Sequence, residues 1–319
     1  MSDAGLKRID VLGLGCAAVD DLVYVASFPR ADRKEPVLRR ARRCGGLTGT
    51  ALVTASRLGA VCAFAGRLGP DESCRHVEEN FRRENVDVSH APRESDARVV
   101  HSTIVVGEDT GSRNIFFQTP ANVGAHPELP SEEVLGSARV LFIDHLGMAG
   151  NLRAVRVARA LGIPVVADFE VGTAPEFGAV LAEVDHLVLS EGFACETTGC
   201  AGPEAAAAAL WSERREAVVV TCGRSGLWWM DRESRGVARQ WPAFEVTAVD
   251  TTGCGDVFHG AYAASLARGA GLADRLRFAS AAAALKAMTG EIPRAWELER
   301  FLGEPGPSRV EPPLQGSLV

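Results

Sequence analysis

Hydrophobic positions change their period along the chain, and the change divides it. Ile9–Gly15 is apolar apart from Asp10 and bounded by glycine, and Val61–Gly66 is a similar run; such short runs predict central strands. Leu22–Ala26 continues extended. Between these runs, Thr48–Leu58 has helical spacing and stops at Gly59. Glu72–Glu84 is a charged segment with Val77 and Phe81 four apart, one apolar face of a helix. Val99–Val106 and Asn114–Gln118 read as two strands around the Gly107–Ser112 loop. From residue 131 the rhythm settles into alternation. Strands are predicted at Val140–Asp144, Pro164–Asp168, His186–Leu189 and Ala217–Thr221, with helices at Leu152–Leu161, Glu176–Val184 and Pro203–Trp211 between them. Strand–helix alternation implies parallel βαβ units, hence a three-layer α/β/α architecture with a mostly parallel sheet. Helices at about 255–268, 272–288 and 295–302 follow, and a Pro-, Gly- and Ser-rich tail begins at Gly303. The β-rich pieces at about 16–46 and 95–120 interrupt the alternation, as an inserted small sheet would.

Composition narrows the class. At 319 residues and 46% hydrophobic, the chain can bury a core without disulfide or metal staples. The formal charge of −7 argues against general nucleic-acid binding. No apolar run reaches 18 residues, so no membrane span is expected. Val11–Val19 is too short for a signal peptide and ends at Asp20–Asp21. None of the eight cysteines has CxxC spacing, which disfavours zinc and points to reduced thiols in the cytoplasm. His145, His186 and His259 are dispersed, and each reads as structural or solvated. His259 is expected on the helix after residue 255, facing away from Asp256.

The sharpest chemistry lies in Asp250-Thr251-Thr252-Gly253-Cys254-Gly255-Asp256, where a loop enters a helix. Glycines one residue apart let the backbone turn tightly, and a helix start adds partial positive charge. An anion such as a transferring phosphoryl group suits that place. A carboxylate in the first turn can take a proton from a substrate hydroxyl. From spacing alone, a capping acid beside loop glycines is an equal alternative.

Residues Asp250–Tyr262, DTTGCGDVFHGAY, closely resemble the C-terminal signature of the ribokinase-like (PfkB) carbohydrate kinase family, departing only at Cys254, where Ala is commoner. The resemblance implies a ribokinase-like fold with a small β-sheet lid over a sugar, and ATP with Mg2+. It implies Asp256 as the catalytic base, with the N–H groups of Gly253, Cys254 and Gly255 around the phosphoryl group and Thr252 beside the nucleotide. Asp250 would help hold a monovalent cation such as K+. Gly45-Gly46 with Thr50, and the Gly66–Asp71 stretch, resemble the N-terminal signature, in which paired glycines form a hinge and touch the sugar; Thr50 stands where many members carry Asn. Asp20, five residues after Gly15, matches the sugar-binding Asp, with Asp21 as the neighbouring candidate.

Thr221, Gly223 and Gly226 match the nucleotide turn T-x-G-x-x-G, and the helix carrying Lys286, one of three lysines in the chain, resembles the border of the adenine site. Where members carry Asn-x-x-Glu this chain has Ser190-Glu191-Gly192-Phe193, so Ser190 falls to the nucleotide and Glu191 to Mg2+ through water. Asp168-Phe169-Glu170 stands where Asp-x-Asn is common. Residues 30–43 carry seven basic and two acidic side chains in the first lid segment, and Arg113 occupies an often basic hairpin position. Arginine suits bidentate recognition of anions. An anionic sugar derivative, as in sulfofructose-kinase-like members, is one reading; solvated lid residues or a dimer contact through the lid is the other. A nucleoside or sugar-phosphate kinase, or a non-catalytic sugar- or nucleotide-sensing homologue, are the alternatives to a sugar kinase.

Overall fold

A computed structural model describes residues 9–109 and 112–303. Gly111 and the tail beyond Gly303 lie outside the described residues. The chain begins with strands β1 (Ile9–Leu14), β2 (Ala18–Val25) and β3 (Arg39–Gly45), then helix α1 (Leu47–Arg57), β4 (Cys62–Phe64), α2 (Glu72–Arg83), β5 (Val86–Asp87), β6 (Val100–Gly107) and β7 (Arg113–Gln118). The alternating part follows as α3 (Glu132–Gly136), β8 (Ala138–Asp144), α4 (Met148–Ala160), β9 (Val165–Asp168), α5 (Phe177–Glu183), β10 (His186–Ser190), α6 (Glu191–Thr198), α7 (Pro203–Leu210) and β11 (Ala217–Thr221). Two strands, β12 (Leu227–Met230) and β13 (Arg239–Trp241), and helices α8 (Cys254–Ala267), α9 (Leu272–Thr289) and α10 (Ala295–Gly303) complete it.

Nine strands form the main sheet in the order β13-β12-β11-β10-β9-β8-β1-β4-β5. From β11 through β5 the pairings are parallel, and β12 pairs antiparallel with both β11 and β13. Both faces are covered, so the strands are mostly apolar on both sides, with polar residues near their ends. In β8, Val140 and Phe142 belong to the core shared with α1, α8 and α9, while Leu141 and Ile143 belong to the opposite core with α4 and α7. Such an α/β sheet collects its ligands outside the carboxyl ends of the strands.

A second sheet, β3-β2-β6-β7, is the lid. Its strands come from the two β-rich interruptions. β3 was not anticipated: its residues are half-exposed or exposed, so no apolar alternation announces it. Pairing of β2 with β3 sets Asp20 opposite Arg43 and Asp21 opposite Arg42, which puts the two acids on opposite faces of the lid.

The carboxyl end of β1 is held by a buried carboxylate. Asp144, fully buried, accepts hydrogen bonds from Cys16 N at 2.7 Å, Thr48 Oγ1 at 2.8 Å and Leu146 N at 2.8 Å. The network ties β1 and the first turn of α1 to β8. Gly15 leaves it room, since a Cβ there would run into Thr48 Oγ1 and Asp144 Oδ2. Gly15→Ala is therefore expected to destabilise the fold by about 2–3 kcal/mol, the scale of overpacking a dense site. Chemical denaturation reads this as a lower midpoint, and an unchanged midpoint would mean that the network relaxes freely.

Candidate active site

The loop into α8 is fixed from three sides. Gly253 precedes the helix with φ +74°, a left-handed conformation that glycine adopts at little cost. Asp250 Oδ1 accepts from Thr252 N at 2.9 Å. Its Oδ2 faces Lys286 Nζ at 3.5 Å and Arg43 at 3.7 Å. Burial by itself would raise the Asp250 pKa, but the Thr252 hydrogen bonds and Lys286 hold it below the ordinary value. Behind the loop, α8 crosses α1 at backbone contact: a Cβ on Gly260 would strike Ala51 O. Thr50 and the Gly253 turn consequently face one space.

That space is a chamber of about 460 Å³ beneath the lid. Asp20, Arg43, Gly45, Gly46 and Thr50 form one side, Thr252, Gly253, Asp256 and Lys286 another, and His76, Asn80 and Arg83 from α2 close an end. The paired glycines are demanded by close approach. A Cβ on Gly45 would lie 2.5 Å from Asp20 Oδ2, and one on Gly46, at φ +88°, would lie 2.8 Å from the Ala17 backbone. Asp20 is thus the acid on the chamber side. Burial raises its pKa, with Ser102 acting in the opposite sense through a hydrogen bond. Asp21 is committed elsewhere: Arg42 binds it at 2.7 and 3.0 Å, His101 at 2.8 Å, and the Arg42 hydrogen bonds draw its pKa down to about 2. An adjoining space of about 430 Å³ is walled by Asp20, Arg39, Arg43 and Arg113 of the lid and by residues 248–252.

Asp256 looks into the chamber from the first turn of α8. Burial pushes its carboxyl pKa well up, the Asp168 carboxylate adds to the rise, and His259 opposes it. A raised pKa makes the carboxylate a stronger proton acceptor. On the other side of the same turn, Thr251, Cys254 and Gly255 wall a cleft of about 510 Å³. Thr221, Gly223 and Gly226 form its rim, and Phe244, Val246, Phe258, Ala283, Ala284 and Ala287 give it apolar walls. One turn of chain thus separates an apolar cleft from a polar chamber.

Most expected residues come together there, and some do not. Lys286 sits with Asp250 on the chamber side, buried, rather than in the cleft where a nucleotide contact was expected, and Thr252 faces the chamber while Thr251 takes the cleft. Neither Ser190 nor Glu191 walls the cleft. Ser190 caps α6, accepting from Phe193 N at 3.3 Å, and Glu191 is exposed. Of the basic residues at 30–43, Arg39 pairs with Glu108 and stacks on Tyr24, Arg42 pairs with Asp21 and Glu72, and Arg43 turns toward Asp250. Arg113 begins β7. His259 does not face solvent; it is 3% exposed beside Asp168. Sequence reading missed the cleft wall at 243–248, a segment without regular structure or periodicity, and the Asn80–Arg83 end of α2, hidden in an ordinary charged helix.

Among the described residues no helix is long and apolar enough to cross a membrane. All eight cysteines are free thiols. Burial raises the pKa of the Cys254 thiol, the one departure in the loop signature.

The chain has relatives of known name. A model of the pfkB family carbohydrate kinases matches residues 10–291. A 5-dehydro-2-deoxygluconokinase of Shouchella clausii is 25% identical, the match covering 88% of this chain and 90% of the relative. A ribokinase of Haemophilus influenzae is 27% identical over 91% of this chain and 97% of its own. The solved structure of the Arabidopsis thaliana ribokinase, complexed with ribose and ATP, superposes with a TM-score of 0.80 at 22% identity, covering 93% of this chain and 99% of that one.

Proposed function

The chain belongs to the pfkB family of carbohydrate kinases, and on that premise we propose that it transfers the γ-phosphoryl group of ATP to a sugar hydroxyl, with Asp256 as general base. The observation that carries this reading is the 251–256 turn, whose Asp256 faces the polar chamber while Cys254 and Gly255 face the apolar cleft. ATP lies in the cleft, its base against the alanine face of α9 and its phosphates at the start of α8. Sugar lies in the chamber, with Asp20 accepting hydrogen bonds from two hydroxyls. Asp256 removes the proton of the attacking hydroxyl, and the N–H groups of Gly253, Cys254 and Gly255 balance charge on the transferring group. The lid covers the sugar and excludes water.

Mg2+ enters with ATP as part of the substrate. Among the described residues no group of three or more His, Cys, Asp or Glu is arranged to hold a metal ion. The β- and γ-phosphates therefore supply its main ligands, and any share that Glu191 has is through water. Lys286 and Arg43 already meet the charge of Asp250, so K+ is not assigned to that carboxylate. The eight free thiols support a reducing compartment, the cytoplasm.

Arg43, Arg83 and Arg113 around the chamber and its annex favour a second reading, a sugar carrying an anionic group. A panel separates the readings. ATP consumption and thermal shift are measured with neutral ketoses, ribose, sugar acids, sugar phosphates, a sulfonated ketose and nucleosides, with and without an ATP analogue. A bound ligand raises apparent stability by mass action. Turnover with a sugar supports the kinase. Turnover with nucleosides alone moves the substrate class, and tight binding without turnover would make the protein a sensor.

Two further results are expected. Ala283→Phe fills the cleft and should raise the KM for ATP by roughly tenfold or more, about 1.4 kcal/mol or above, with the KM for sugar little changed. An equal rise in both constants would place ATP elsewhere. We also propose that two copies associate through the lid. Among the described residues strand β7 pairs only with β6, leaving an open edge, and exposes Ile115, Phe116 and Phe117. An open apolar edge favours pairing with a second copy. Sedimentation velocity should give twice the chain mass, and a monomer at micromolar concentration would refute this.

A further inference from the structure

His259 is bonded in a way that a neutral imidazole cannot satisfy. Its Nδ1 lies 2.8 Å from Gly255 O, and its Nε2 lies 2.9 Å from Val188 O. Carbonyl oxygens only accept, and a neutral ring carries one N–H. A neutral His259 would therefore set a bare nitrogen lone pair against one of the two carbonyls. An imidazolium donates to both. The Asp168 Oδ2 stands 3.3 Å from the same Nδ1, and the side chains of both residues are buried. The rings of Phe142 and Phe258 pack edge-on against the imidazole and exclude water.

We propose that His259 is held as an imidazolium with the Asp168 carboxylate as its counter-ion, and that this pair positions the Asp256 turn on the sheet and balances the charge behind it. The proposal rests on the kinase reading for its catalytic meaning and on geometry for its charge. No proton is gained or lost overall: the alternative places the same proton on the Asp168 carboxyl, leaving His259 neutral with a bare ring nitrogen against one of the two carbonyls. Burial opposes the pair from both sides, lowering the pKa of the ring and raising that of Asp168; the two carbonyls and the Asp256 and Glu170 carboxylates favour the charged ring, and the assignment rests on the two carbonyl contacts. The charged groups facing the ring are Asp168 and Glu170 from the end of β9 and Asp256 from its own helix.

The positioning is mechanical as well as electrical. Gly255 precedes Asp256, Val188 lies in the middle of β10, and Asp168 ends β9, so one ring joins the first turn of α8 to two strands. Without the imidazolium, the Asp168 carboxylate would face Asp256 unbalanced and hold it protonated, unable to accept a proton.

The test begins with the wild-type protein and needs no sugar. In protein labelled with 15N-histidine, the His259 ring is identified by through-space contacts to Phe142 and Phe258. At neutral pH both ring nitrogens are expected to carry protons; a ring with one protonated nitrogen would overturn the charge assignment. Kinetics use whichever sugar turns over in the panel. His259→Gln should lower kcat about tenfold, change either KM less than about twofold, and move the acidic limb of kcat up by about one pH unit. Adding Asp168→Asn removes the unbalanced carboxylate and should bring the limb back toward the wild-type position. A purely structural role predicts equal losses at every pH and a double variant worse than the single one, and either result would overturn the positioning role. If no sugar turns over while both nitrogens are protonated, the kinase reading fails and the charge assignment stands.

Discussion

Asp256→Asn is expected to lower kcat by a factor on the order of 10² to 10⁴, the range for losing a positioned general base. The amide keeps the size of the carboxylate, so the start of α8, the cleft and the chamber should persist. KM for ATP and for sugar should change little, because a general base acts on the proton and not on the affinity of either substrate. The measurement is steady-state turnover beside a calorimetric titration of the ATP analogue. Near-normal turnover would remove Asp256 from the base position. The wild-type pH profile carries a companion expectation. A base works in its deprotonated form, and burial with Asp168 nearby raises the Asp256 pKa. Activity should therefore be lost, as pH falls, at a pH above the ordinary carboxylate range.

Asp20→Asn should strike the other constant. A carboxylate accepting from two hydroxyls makes charge-assisted hydrogen bonds, each worth about 1.5–3 kcal/mol. Replacing it by an amide puts two N–H donors where acceptors stood and keeps only one acceptor. KM for the sugar is expected to rise on the order of 10²-fold, with kcat at saturation falling far less. Asp21→Asn is the control, since Asp21 lies on the opposite face in contact with Arg42 and His101. If the Asp21 variant lost more sugar affinity than the Asp20 variant, the chamber side of the lid would be misassigned.

The central sheet was legible because its strands are buried on both faces and its helices carry clear stops. Ala217–Thr221 was read with its observed ends, and the Glu72 helix within one residue. The 250–256 loop and the helix start after it were legible because closely spaced glycines break an apolar pattern just before a helical one resumes. The lid was legible only in outline. β3 is a run of arginines whose alternation separates two polar environments, Arg43 toward Asp250 and Arg42 toward Asp21, and a hydrophobic period cannot report that. The placement of Lys286 was not legible because helical spacing does not say which cavity a buried lysine faces; its position follows from Asp250, 36 residues away in sequence. His259 was read as facing away from Asp256, and its role depends on carbonyls and a carboxylate from three separate elements.

The 251–256 turn is a wall with a cavity on either side and the thickness of one chain. Two ligands that meet across such a wall can be joined into one molecule. A sugar tethered through a short phosphate chain to adenosine would lie on both sides at once, and its second half would bind at the high effective concentration set by the tether. The best inhibitor scaffold for this protein is therefore a two-headed one, and its optimal linker length would measure how far apart the two substrates sit when the phosphoryl group moves.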